Sequence, residues 1–74
     1  MSPGDPITIC YLITAFNAPL TPLTKGTKGT YLRSIGNADG WSIHEVEING
    51  LIYPLREGEF ESGKVEPAQE YDNM

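Results

Sequence analysis

The chain has 74 residues, one cysteine and a formal net charge of −5 at pH 7. A chain of this length forms one small domain, and a single cysteine excludes both an intrachain disulfide and a cysteine-rich metal site. The longest apolar-leaning run, residues 7–16, is shorter than the roughly 20 residues that span a bilayer, and no basic segment precedes it, so we expect a cytoplasmic protein.

The negative charge is concentrated in the last quarter of the chain. Residues 1–56 contain four acidic and four basic side chains, whereas residues 57–74 contain six acidic side chains and one lysine. An acidic segment of this kind repels nucleic-acid backbones. It either favours partners with a basic surface or keeps a small protein soluble.

The first quarter of the chain predicts a strand followed by a long connection. Residues 1–6, with two prolines and a glycine, predict an opening turn. Ile7 to Ala15 alternates with period two, and Cys10 and Leu12 make the second face partly apolar, so we expect a strand covered on both sides. Residues 16–24 contain prolines at positions 19 and 22, which predicts a loop that folds back over the open end of a small barrel.

A glycine-rich turn predicts the start of the second strand. Gly26 and Gly29 leave the backbone free to adopt positive φ, and a run with strong β propensity follows them directly. Residues 30–35 predict a short strand in which Tyr31 and Arg33 share one face. Residues 36–40 have the composition of a turn.

The third and fourth strands are predicted to form a hairpin. Residues 41–48 change phase, since the first two apolar residues and the last two fall on different faces, which predicts a β-bulge near His44 and Glu45. Asn49-Gly50 is the signature of a two-residue type I′ turn. That turn sets three pairs across the hairpin: Ile48 with Leu51, Val46 with Tyr53, and Glu45 with Pro54.

The last part of the chain predicts one more short strand and a tail. Residues 56–59 read as a turn, residues 60–65 as the last strand and residues 66–74 as a frayed acidic tail. Together these elements predict an all-β protein, in which residues 1–65 form a small five-stranded antiparallel barrel. Closing the barrel would remove exposed strand edges.

The order of these segments resembles SH3-like small barrels of the KOW type. The resemblance is carried by Gly4-Asp5, the Lys25-Gly26-Thr27-Lys28-Gly29-Thr30 turn, Trp41-Ser42-Ile43, and the segment from Leu55 to Phe60. The segments are also similar to short bacterial and phage-associated domains that open with Gly-Asp. The similarity covers about residues 4–61 and implies a fold rather than an activity, because some relatives bind RNA or ribosomal components and others bind proteins.

No group of residues predicts catalysis. His44 and Cys10 are the only residues of their types; we expect His44 on a strand surface and Cys10 as a small buried group. The segment Gly58 to Lys64 has the spacing of a phosphate-binding loop but lacks the Ser or Thr that would follow the lysine. We therefore expect a protein that is not an enzyme and that uses no cofactor or metal.

The leading functional hypothesis is a protein-interaction module. It would act as an adaptor, an assembly component or an inhibitor of a host protein, encoded by a bacterium or a phage, and its partner would have a basic surface. The expected contacts are acidic: Glu45, Glu47, Glu57, Glu59 and Glu61. Glu45 and Glu47 lie two residues apart and so share a strand face.

Two alternatives stay open. One is a weak RNA- or DNA-binding domain that uses Lys25, Lys28 and Arg33, with Tyr31 as an exposed stacking platform; core packing is the competing role for that tyrosine. The other is an oligomer that buries Leu12 and Ile52 between copies. Among the other aromatic residues, we expect three in or near the core: Trp41, Tyr53 and Phe60.

Overall fold

The computed structural model describes residues 1–63, which form a five-stranded antiparallel sheet with no helix in this range. The strands are β1 (Pro6–Ile9), β2 (Lys28–Ala38), β3 (Trp41–Ile48), β4 (Leu51–Arg56) and β5 (Phe60–Ser62). Their order across the sheet is β4-β3-β2-β1-β5, so β4 and β5 are the two edges. The all-β prediction with five antiparallel strands is confirmed, and within residues 1–63 no ladder joins the edges into a closed barrel. The predicted tail lies outside the described residues.

Two-residue turns connect β2, β3 and β4. Asn49 and Gly50 have φ values of 54° and 80°, as a type I′ turn requires, and the three predicted pairs across β3 and β4 are all present. Asp39 and Gly40, with φ values of 52° and 81°, form a second turn of the same kind. The predicted turn at residues 36–40 is therefore shorter than expected, and β2 continues to Ala38.

The irregularities of the sheet lie in β2 rather than in β3. The β2–β3 register shifts between Tyr31 and Arg33 and again between Ser34 and Gly36, so Leu32 and Ile35 are extra residues without a partner position on β3. Strand β3 pairs with β4 without interruption, so the predicted bulge within β3 is wrong. The sequence of β3 changes phase for a different reason: the strand carries apolar residues on both faces of the sheet.

Strand β1 is much shorter than the sequence predicts. It ends at Ile9 instead of Ala15 because neither neighbouring strand continues beside it: β5 begins opposite Ile9, and β2 begins opposite Thr8. Leu12 therefore lies in the connection, where it is 59% exposed, and not on a second strand face. Ile13 is buried although it lies outside the sheet, and it forms an isolated bridge with Leu23 through N–H···O bonds of 2.8 and 2.9 Å.

The long connection folds back as predicted, and it packs against one face of an open sheet rather than over the end of a closed barrel. Phe16 meets Tyr53 edge to face, with ring centroids 5.0 Å apart, and the Thr21 N–H donates to the Tyr53 hydroxyl over 3.3 Å. These contacts seat the connection on the hydrophobic core. Within residues 1–63 the core comprises nine buried residues: Ile7, Ile9, Ile13, Leu23, Tyr31, Val46, Ile48, Tyr53 and Leu55.

The two glycines of the predicted turn have different roles. Gly26 adopts a φ of 90° in the turn, as expected. Gly29 lies inside β2, opposite Ile7, where a Cβ atom would stand 2.6 Å from Ile48 Cγ1 and 2.7 Å from the Glu47 carbonyl oxygen. Close approach of neighbouring strands, and not turn geometry, therefore requires glycine at position 29.

We expect Gly29→Ala to lower the free energy of unfolding by about 1–3 kcal/mol, because the added methyl group forces two strands apart. Urea unfolding followed by tryptophan fluorescence or circular dichroism measures the effect. Lys28→Ala, at the neighbouring exposed position, is the control and should stay within about 0.5 kcal/mol of wild type. An unchanged midpoint for Gly29→Ala would show that the strands accommodate the methyl group.

Candidate functional site

An open concavity of about 260 Å³ lies where β2, β3 and β5 meet the β4–β5 turn. We call it the aromatic pocket and define it by its six lining residues: Met1, Tyr31, His44, Glu57, Gly58 and Phe60. Three of the six carry rings and one carries a carboxylate. The pocket therefore combines apolar walls with a negative charge, a combination suited to a cationic side chain.

The three rings of the aromatic pocket contact one another. The Tyr31 hydroxyl and His44 Nδ1 are 2.9 Å apart and form a hydrogen bond. His44 meets Phe60 nearly edge to face, with centroids 5.5 Å apart, and the Tyr31 and Phe60 centroids are 6.3 Å apart. Each ring therefore contacts the other two, so the three side chains support one another's positions.

The bulge at Leu32 places Tyr31 and Arg33 on opposite faces of the sheet. Tyr31 pairs with Val46 on the core side, whereas Arg33, beyond the extra residue, pairs with Glu45 on the opposite face. Tyr31 is only 5% exposed. The prediction that Tyr31 and Arg33 share a face is therefore wrong, because an inserted residue reverses the alternation of a strand. Burial in the core, the competing role for Tyr31, is confirmed.

The β4–β5 turn carries two glutamates with opposite surroundings. Glu57 is exposed and lines the aromatic pocket. Glu59 is only 8% exposed, and its Oε1 accepts a 2.7 Å hydrogen bond from the Arg56 backbone N–H, while Oε2 lies 3.8 Å from the Arg56 guanidinium. Glu59 thus builds the turn and offers little surface to a partner, although the sequence predicts it as a contact residue.

The other predicted acidic contacts are spread over the protein. Glu45 and Glu47 share the outer face of β3, as predicted, but Glu45 is paired with Arg33 through a 2.8 Å Nε–Oε1 contact. Glu47 is exposed on that outer face, and Glu61 is exposed on β5 opposite Thr8. Of the five predicted glutamates, the structure places Glu57 alone at the aromatic pocket.

The residues of the nucleic-acid alternative do not form a stacking platform. Tyr31 is buried, Arg33 is engaged with Glu45, and Lys28 Nζ donates to the Thr8 hydroxyl over 3.1 Å. Lys25 is exposed in the connection before β2. These side chains therefore present separate charges rather than a basic surface with an aromatic centre.

Sequence reasoning misplaced two aromatic residues. Trp41 is 48% exposed on the outer face, where the Arg56 guanidinium lies 5.1 Å from its ring, so the prediction of a core position is wrong. His44 is half-buried among rings rather than on the strand surface. Tyr53 is buried and Phe60 packs against the core, as predicted. Regular alternation along β3, without a bulge, places His44 on the same face as Val46 and Trp41 on the opposite face. The sequence therefore contained the information needed to place both residues.

The described part of the chain contains no group of three or more His, Cys, Asp or Glu side chains placed to hold a metal ion. Residues 1–63 also contain no helix with the length and apolar character needed to cross a membrane. Comparison with protein-family models, with curated proteins and with solved structures found no match. The chemistry of the aromatic pocket is therefore the basis for a functional assignment.

Cys10 lies next to the sheet, half-buried, where its backbone N–H donates to the Glu59 carbonyl. Burial raises the pKa of the Cys10 thiol above its ordinary value; the negative charge of Glu61 raises it further, and Lys25 acts in the opposite direction. A raised pKa leaves less thiolate near neutral pH.

We expect Glu61→Gln to speed alkylation of Cys10 by iodoacetamide at pH 7–8, because removing the negative charge lowers the thiol pKa and increases the thiolate fraction. Lys25→Gln should slow the reaction for the opposite reason. Mass spectrometry of the alkylated fraction over time measures both rates. Equal rates in the two variants would contradict the charge argument, and the difference should vanish at a pH where the thiol is fully ionised in both.

We expect Glu59→Ala to lower the free energy of unfolding by about 1–3 kcal/mol, because it leaves the Arg56 N–H without its acceptor. Glu59→Gln should cost less, since its amide oxygen can still accept that bond. Glu57→Ala, in the same turn but exposed, is the control. A loss for Glu57→Ala equal to that for Glu59→Ala in urea unfolding would contradict a structural role specific to Glu59.

Proposed function

We propose that this protein is a non-enzymatic protein-interaction module on a small SH3-like barrel, and that it binds a basic segment of a partner protein at the aromatic pocket. The observation that carries the proposal is the exposed carboxylate of Glu57 beside three mutually contacting rings in an open concavity. Such a site offers a cationic side chain both an ion pair and a ring surface. The β4-β3-β2-β1-β5 strand order supports the small-barrel assignment.

The overall charge favours the same class of partner. The chain carries a net charge of −5, and Glu57 and Glu61 are both exposed near β5. A negative field of this kind accelerates encounter with a basic protein surface and opposes encounter with nucleic acid. The roles that we propose are those of an adaptor, an assembly component or an inhibitor of a basic protein in the cytoplasm of a bacterium or of a phage-infected cell.

The prediction of a weak nucleic-acid-binding domain remains as an alternative. Four basic side chains lie within residues 1–63, and three of them already contact polar groups of the protein: Arg33 with Glu45, Arg56 with Glu59 and Lys28 with Thr8. This is a small footprint for the phosphate contacts that provide most nucleic-acid affinity. An oligonucleotide titration belongs in the same experiment as a peptide titration.

We expect a peptide of alternating basic and Gly/Ser residues to shift the amide resonances of His44, Gly58 and Phe60 in ¹⁵N-labelled protein. Glu57→Gln should weaken this binding about two- to fivefold, the range of an exposed ion pair. Higher salt should reduce the difference in affinity between wild type and Glu57→Gln. The matched control is Asp39→Asn, which removes one charge at the β2–β3 turn and keeps a residue that tolerates positive φ.

Three outcomes would contradict the proposal. The first is no resonance shift at the pocket at millimolar peptide. The second is equal weakening by Glu57→Gln and Asp39→Asn, which would reduce the effect to overall charge. The third is tighter binding to single- or double-stranded oligonucleotides than to the peptide, with a steep loss of affinity as salt increases, which would favour the nucleic-acid alternative.

A further inference from the structure

We infer that the aromatic pocket is selective for an arginine side chain of the partner over lysine, an inference that rests on the proposed function and specifies its ligand. Arginine and lysine carry the same charge, so charge complementarity with Glu57 does not separate them. The difference in affinity between them comes from the walls of the pocket and from the shapes of the two cations.

The walls favour the more weakly hydrated cation. The half-buried His44 and Phe60 contribute the accessible ring surface, and Tyr31, which is only 5% exposed, supports them from the core. The Tyr31 hydroxyl and His44 Nδ1 already bond to each other over 2.9 Å. A lysine ammonium is compact and strongly hydrated, and its three N–H donors each need an acceptor when water leaves. A guanidinium is more weakly hydrated, so it loses less hydration free energy when one of its faces lies against a ring.

The position of the carboxylate favours a planar cation with a fork of donors. Glu57 lines the same concavity as Phe60, and the two are separated along the chain only by Gly58 and Glu59. A guanidinium can direct two N–H groups to one carboxylate while its flat face stacks on an adjacent ring. An ammonium has neither a flat face nor a fixed fork of donors. It can therefore approach either the carboxylate or the ring closely, but it does not make both contacts at once.

The same protein shows this pairing elsewhere on its surface. On the outer face, the Arg56 guanidinium lies 5.1 Å from the centroid of the Trp41 ring while one of its nitrogens is 3.8 Å from Glu59 Oε2. An arginine between a ring and a carboxylate is thus an arrangement that the turn already contains. The aromatic pocket offers the corresponding ring and carboxylate without an arginine among its lining residues.

The test uses blocked pentapeptides of sequence Gly-Ser-X-Ser-Gly, in which X is arginine, lysine, trimethyllysine or glutamine. Resonance shifts of the full ¹⁵N-labelled chain give the four affinities. We expect arginine to bind about two- to fivefold more tightly than lysine, the range of an exposed cation–π contact, and glutamine to cause no shift. Phe60→Leu should abolish the arginine preference, and Glu57→Gln should reduce arginine affinity more than Asp39→Asn does.

Each result decides the inference separately from the proposed function. Equal binding of arginine and lysine at the pocket overturns arginine selectivity but leaves the basic-partner proposal intact. Tightest binding of trimethyllysine overturns it too, because that result assigns the pocket to quaternary ammonium groups. No shift with any cationic peptide removes both proposals. If Phe60→Leu does not fold, the ratio of arginine to lysine affinity decides the matter: Glu57→Gln should reduce that ratio, because the carboxylate that receives the guanidinium fork is lost, whereas Asp39→Asn should leave it unchanged.

Discussion

The extra residue in β2 is the constraint on which the aromatic pocket depends. Leu32 has no partner position on β3, so the strand alternates in one phase before it and in the opposite phase after it. Tyr31 consequently enters the core and bonds to His44, while Arg33 reaches the outer face and pairs with Glu45. Without the insertion, tyrosine and arginine would share a face, so Tyr31 could not lie in the core while Arg33 pairs with Glu45 on the outer face.

The sheet edge at β4 is protected against pairing with another strand. In a two-residue hairpin closed by Ile48 and Leu51, the backbone groups of residues 52, 54 and 56 point away from β3. Pro54 has no N–H to offer, and the N–H of Arg56 bonds to the Glu59 carboxylate. Addition of a further strand at β4 is therefore disfavoured.

The acidic residues divide into three physical roles although the sequence presents them alike. Glu59 is a buried acceptor that closes the β4–β5 turn, Glu45 is held by Arg33, and Glu57 is exposed beside the rings. A model based on uniform charge would treat every glutamate as an equivalent contact. Burial and hydrogen bonding show instead which carboxylates are engaged within the protein and which face solvent.

The sequence by itself determined what depends on neighbours along the chain. Asn49-Gly50 determined the β3–β4 register, period-two alternation determined most strands, and the prolines of residues 16–24 kept that segment out of the sheet. Each signal acts within a few residues, because turn geometry and alternation are local properties of the backbone.

Only the tertiary structure decided where β1 ends, which way Tyr31 points and that Glu59 is buried. β1 ends where its pairing with β2 and β5 ends. The face on which Tyr31 lies depends on the register between β2 and β3. Glu59 is buried because the corner between β4 and β5 folds its carboxylate back onto the Arg56 N–H. These features depend on pairing and burial between distant segments, so alternation within one segment does not predict them.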